Sequence, residues 1–104
     1  MSTSLRQQEL IRGKVLSYLA LIYPRAATLP LLQGELDIFG YPVSIEDLNF
    51  HSAYLVDKGY ATLELIRGPH SHSKIPLLKI TAKGIDYFDG RLPAEEGIYL
   101  EPRQ

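Results

Sequence analysis

Asp47, His51 and Ser52 bring together the side-chain types of a nucleophilic triad, so acyl transfer is the first chemistry to test against the chain. Their spacing argues against it. Asp47 to His51 is a single helical step, Ser52 falls towards the core, and no oxyanion site lies near; the expectation is a polar helix and no enzyme. His70 and His72, one residue apart, are of metal-ligating type, but nothing adjacent supplies further ligands and cysteine is absent. They are read as polar loop residues whose protonation tunes contact with phosphate, and neither a metal nor a cofactor is expected. A third chemistry, contact with nucleic acid, needs cations for phosphates and polar groups for base edges. Asn49 can pair with adenine and Lys58 is cationic, while Arg67, His70, His72 and Lys74 form a basic polar group, with Lys79, Lys83 and Arg25 as further candidates. Glu46, Asp47 and Asp57 oppose this reading, because they repel phosphates unless they meet cytosine amines or turn away. The basic group has an equal claim to being solvated charge and nothing more.

These residues must be held by elements, and the best marked is the helix expected over 44–58. Ser44 is placed to cap it, Asp47 favours its positive end, and Gly59 supplies the left-handed residue that closes it. Ile45, Leu48, Ser52, Leu55 and Val56 recur at helical spacing as an inner face. Glu46, Asn49, Phe50, Ala53, Tyr54 and Asp57 point outward. Phe50 and Tyr54, four apart on that outer face, either pack against another part of the chain or anchor a protein or dimer interface.

Around it, helices are expected near 7–23, 30–39 and 82–89, and strands near 60–67 and 75–80. The first helix has an inner face of Ile11, Val15, Tyr18, Leu19 and Ile22. Leu10, Leu16 and Leu21 lie off it, so the helix is either central to its own domain or shared with a second copy, and a dimer built on it is expected. Residues 26–29 are short and extended at best. The second helix presents Leu31, Leu32, Leu36, Ile38 and Phe39, with Gly34 as a weak point. Alternation in the first strand lapses at Ile66 and Arg67, where the pairing ends or bulges. The polar segment 68–74 makes a hairpin tip, Thr81 caps the last helix, and Ile85 and Phe88 close the core. Beyond Gly90 the segment 91–104 is irregular, with Ile98, Tyr99 and Leu100 able to dock or to dimerise.

The chain has 104 residues, 45% apolar and 22% charged, with a formal charge of −1, which suits one domain with one core and neither demands nor excludes nucleic acid. The most apolar run, 15–23, is too short to span a membrane, and no basic stretch leads into an apolar leader; a soluble cytoplasmic protein is expected.

The segment VSIEDLNFHSAYLVDKGYATLEL resembles the recognition helix and first wing strand of bacterial winged helix-turn-helix regulators, and LKITAKGIDYFDG resembles the second wing strand and following helix. Leu55, Gly59, Tyr60, Thr81, Lys83 and Gly84 fall on positions that recur in the broad ArsR-, MarR- and PadR-like grouping. The resemblance spans residues 5–90. It implies an α+β, mainly helical fold, with a winged helix-turn-helix domain over 1–90 made of a three-helix core, a two-stranded wing and a C-terminal helix. It also implies a homodimer binding double-stranded DNA in transcription regulation, with the helix from Ser44 in the major groove and the 68–74 wing on the backbone or minor groove. The residues expected at the DNA are Ser44, Glu46, Asn49, Phe50, Ala53, Tyr54, Lys58, Arg67, His70, His72 and Lys74. The alternative from another class is a protein-binding module using the acidic and aromatic face of the same helix.

Overall fold

The computed structural model describes residues 4–70 and 73–102. Its four helices, in chain order, each begin on a Ser or Thr whose hydroxyl accepts from a backbone N–H three residues on. These pairs are Ser4–Gln7, Thr28–Leu31, Ser44–Asp47 and Thr81–Gly84. They start α1 (Leu5–Ile22), α2 (Leu29–Ile38), α3 (Ile45–Asp57) and α4 (Ala82–Phe88). Ser4 is thus a cap, and α2 begins on Leu29 with Thr28 as its cap, while Pro30 occupies the first turn, where no helical N–H is required. After α3 the chain turns through Gly59 at φ +84°, a conformation that a side chain would strain.

Strands β1 (Ala27–Thr28), β2 (Ala61–Arg67) and β3 (Lys74–Ile80) form an antiparallel sheet in the order β1-β3-β2. The fold is therefore α+β. The sheet has three strands where a two-stranded hairpin was expected, because Ala27 and Thr28 pair with Leu78 and Leu77. The β2–β3 register runs without a bulge from Ala61 opposite Ile80 to Arg67 opposite Lys74. The lapse in alternation at Ile66 is thus met not by broken pairing but by an Ile66–Ile75 cross-strand pair.

The core lies between the helices and the base of the sheet. Val15, Leu16, Leu19, Leu48, Leu55 and Leu78 are inaccessible to solvent. Leu16 corrects the expected outline of α1, since it belongs to the core and offers nothing to a second copy. On α2 the buried residues are Leu29, Leu32 and Leu36, while Leu31, Ile38 and Phe39 are exposed. On α4 the deepest side chain is Tyr87, whose ring lies 4.9 Å from that of Tyr60, and Ile85 and Phe88 are half-buried. The residues after α4 fold back along α1, where Ile98 is buried. Gly13 allows this close approach, because a β-carbon there would land on the Tyr99 carbonyl. Among the described residues no helix is long and apolar enough to cross a membrane.

Candidate nucleic-acid interface

Alternation along α3 divides its residues by use. Leu48, His51, Ser52 and Leu55 are buried, and Ser44, Glu46, Asn49, Phe50, Ala53 and Asp57 are exposed. Ile45, expected inside, is partly exposed at the start of the helix. Phe50 is 69% exposed, a large apolar surface on a helix that faces water for most of its outer side. Glu46, Asn49, Phe50 and Ala53 together line a shallow depression on it. Tyr54 has a different situation. It is half-buried, with the Arg12 guanidinium 4.1 Å from its ring centre and Lys58 Nζ at 5.7 Å, so the two aromatics of this face do not act as a pair. Lys58 in turn lies 3.6 Å from a carboxylate oxygen of Glu95.

The hairpin contributes the other expected residues. Arg67 and Lys74 sit directly opposite each other at its outer end, and both are exposed, as is His70. By strand alternation they share the sheet face that carries Ala61, Leu78 and Ile80 into the core. His72 lies outside the described residues. Of the additional cations, Lys83 donates to the Lys58 carbonyl and lies over the Tyr60 ring, and Lys79 lies 6.0 Å from the Tyr23 ring.

The triad types do not form a triad. His51 is 6% exposed and its Nδ1 accepts from Arg12 Nε at 3.1 Å, which makes the imidazole neutral with its proton on Nε2. Burial and the adjacent Arg12 cation hold its pKa below the usual 6.5, against a smaller opposing pull from Asp47. The hydroxyl of Ser52 is buried without a hydrogen-bond partner and has no base to activate it. Among the described residues no group of His, Asp or Glu side chains gathers into a metal-sized cluster.

Arg12 is the residue that sequence reading missed. Besides His51 and Tyr54 it reaches the Gly97 carbonyl at 3.1 Å, so one guanidinium ties α1 to α3 and to the C-terminal segment. Nothing in local periodicity signals a contact across so much sequence. One further signal is legible in the chain: between Arg25 and Lys58 there is no Lys or Arg, while Glu35, Asp37, Glu46, Asp47 and Asp57 are all acidic. The α2–α3 unit is thus an acidic surface. Comparison with protein-family models, with curated proteins and with solved structures found no match to this chain.

Proposed function

We propose that this chain is a winged helix-turn-helix protein that binds double-stranded DNA and regulates transcription. The element order α1-β1-α2-α3-β2-β3 supports that topology, with β1 closing a three-stranded sheet behind the helices. The observation that carries the functional reading is a helix with an exposed outer face, α3, that runs through Gly59 into a hairpin ending in the opposed cations Arg67 and Lys74. With its 13 residues, α3 is about 20 Å long and of a width the major groove admits. Asn49 offers the paired donor and acceptor that adenine requires, Glu46 can accept from a cytosine amine, and Phe50 suits a thymine methyl. Arg67, His70 and Lys74 meet phosphates. Labelled duplex should bind at low ionic strength and release steeply as salt is added; a chain that leaves duplex unbound at low salt does not act this way.

The absence of Lys and Arg between Arg25 and Lys58 favours a second reading, in which the Glu46, Asn49, Phe50 face receives a basic protein partner. Loss of that partner on Phe50→Ala, with no duplex bound by the parent chain, would select it. A symmetric dimer is part of the proposal in altered form. With Leu16 in the core and the C-terminal segment on its own α1, the apolar surface left for a second copy includes Leu21 and Tyr23 on α1 and its exit, and Ile38 and Phe39 at the end of α2.

A further inference from the structure

The C-terminal segment touches cations at alternate residues. Glu95 lies 3.6 Å from Lys58 Nζ, the Gly97 carbonyl accepts from Arg12 at 3.1 Å, the Tyr99 ring lies 3.8 Å below the Arg6 guanidinium, and Glu101 is 3.2 Å from Lys14 Nζ. Arg6, Arg12 and Lys14 all belong to α1, and Lys58 caps α3. The residues between serve a different purpose. Ile98 is 4% exposed, its carbonyl accepts from the Tyr87 hydroxyl, and the Tyr99 N–H donates to the Glu9 carbonyl of α1. Backbone groups and Ile98 thus anchor the segment, while Glu95 and Glu101 bring carboxylates to Lys58 and Lys14 without burying those cations.

We propose that Arg6, Arg12, Lys14 and Lys58 form a second polyanion site, fitted to a phosphate backbone, and that the acidic C-terminal segment is its built-in competitor. Charge decides the matter in favour of masking over simple packing. Beside the four cations α1 contributes Glu9, which pairs with Arg6 at 3.7 Å, and the segment adds Glu95, Glu96 and Glu101. With the segment's carboxylates in place the patch is neutral; without them it carries most of its positive charge. The segment offers Arg12 and Arg6 only neutral groups, a carbonyl and a ring, and the one carboxylate beside Arg6 is Glu9 of its own helix. Lys14 and Lys58 meet carboxylates and are the two that a phosphate must win. Ile98 and the Tyr87 bond hold the segment down throughout, so an arriving polyanion has only to displace the Glu95 and Glu101 side chains, not the backbone. The identity of the polyanion as duplex rests on the reading proposed above; the site itself does not.

The test uses the full chain and two probes, heparin and a short duplex, at about 50 mM salt. In Glu95→Gln/Glu96→Gln/Glu101→Gln the glutamine at 95 still accepts from the Tyr60 hydroxyl, and the anchoring residues are unchanged. This variant should bind heparin about tenfold more tightly than the parent, with a log–log salt slope steeper by about 2, as for two further charges engaged. Lys14→Gln/Lys58→Gln should cost little in the parent, where both are paired with carboxylates, and should cancel the gain in the glutamine variant. That non-additivity separates a masked site from a general effect of net charge. Equal heparin affinity of parent and glutamine variant, or a lysine loss of the same size in both, overturns the site. Heparin behaving as expected while neither protein binds duplex supports the masked site and removes the DNA reading. A matching gain for duplex supports both.

Discussion

At Arg12 a single side chain meets an imidazole, a phenol ring and a backbone carbonyl, drawn from α3 and the C-terminal segment. Its hydrogen bond to His51 requires the imidazole to stay neutral, and this fixes the sign of a pH effect. The folded pKa of His51 lies below 6.5, so above 6.5 its contribution is fully present. As pH falls the unfolded chain takes up a proton that the folded chain resists, and stability declines towards the folded pKa. Thermal unfolding followed between pH 7.5 and 4.5 should show this decline, and His51→Asn, whose side-chain oxygen can replace Nδ1 as acceptor, should flatten that part of it. An identical acid slope in the variant would remove His51 as its cause. Tyr60 acts at the other end of the scale. Burial, with the hydrogen bond to Glu95, pushes its pKa up to about 12, so stability is retained up to the ordinary tyrosine range near pH 10 and is lost as pH climbs through 12. Replacing Arg12 with Ala should cost about 2 kcal/mol in chemical denaturation, since hydrogen bonds from a charged donor to partly buried acceptors are lost and Tyr54 is uncovered.

At the scale of elements, two glycines in helices give opposite predictions. Gly13→Ala would drive a β-carbon into the Tyr99 carbonyl, so it should destabilise by about 1–3 kcal/mol and loosen the C-terminal segment, read as faster exchange of the Tyr99 amide. Gly34 has open space around it, and Gly34→Ala should stabilise by up to about 1 kcal/mol. A destabilised Gly34 variant would mean that α2 needs flexibility there. Helix positions and caps at Ser44 and Thr81 were readable in the chain because capping chemistry and 3.6-residue spacing are local. Three other features were not. A strand as short as β1 has no periodicity to read, and it exists because β3 offers an edge at Leu77 and Leu78. Leu16 looked external because α1 was given one inner face, whereas the docked C-terminal segment leaves the helix buried on several sides. Phe50 and Tyr54 looked like a pair because their spacing is helical. They separate because Arg12, forty-odd residues away, covers one of them.

Across the whole molecule, exposed surface and charge pull in different directions. The proposed function puts the exposed α3 face in a groove and the Arg67–Lys74 hairpin end on phosphates, but the α2–α3 unit supplies no cation of its own and Lys58 is shared with Glu95. Phosphate contact must therefore fall mainly on the hairpin, so Arg67→Ala/Lys74→Ala should weaken duplex binding at all sequences and reduce the salt slope by about 2, whereas Asn49→Ala should cost about 1–3 kcal/mol at a preferred sequence and leave the slope unchanged. Light scattering at micromolar concentration addresses assembly. Twice the chain mass is expected, falling to one on Leu21→Glu/Phe39→Glu; a parent chain of single mass removes the dimer. The most direct measurement is a map of backbone amide shifts on adding a short duplex at low salt. Perturbations concentrated in 44–53 and 66–75 are predicted, and perturbations absent from both stretches, or confined to other surfaces, would contradict the assignment of α3 and the hairpin as the DNA-binding face.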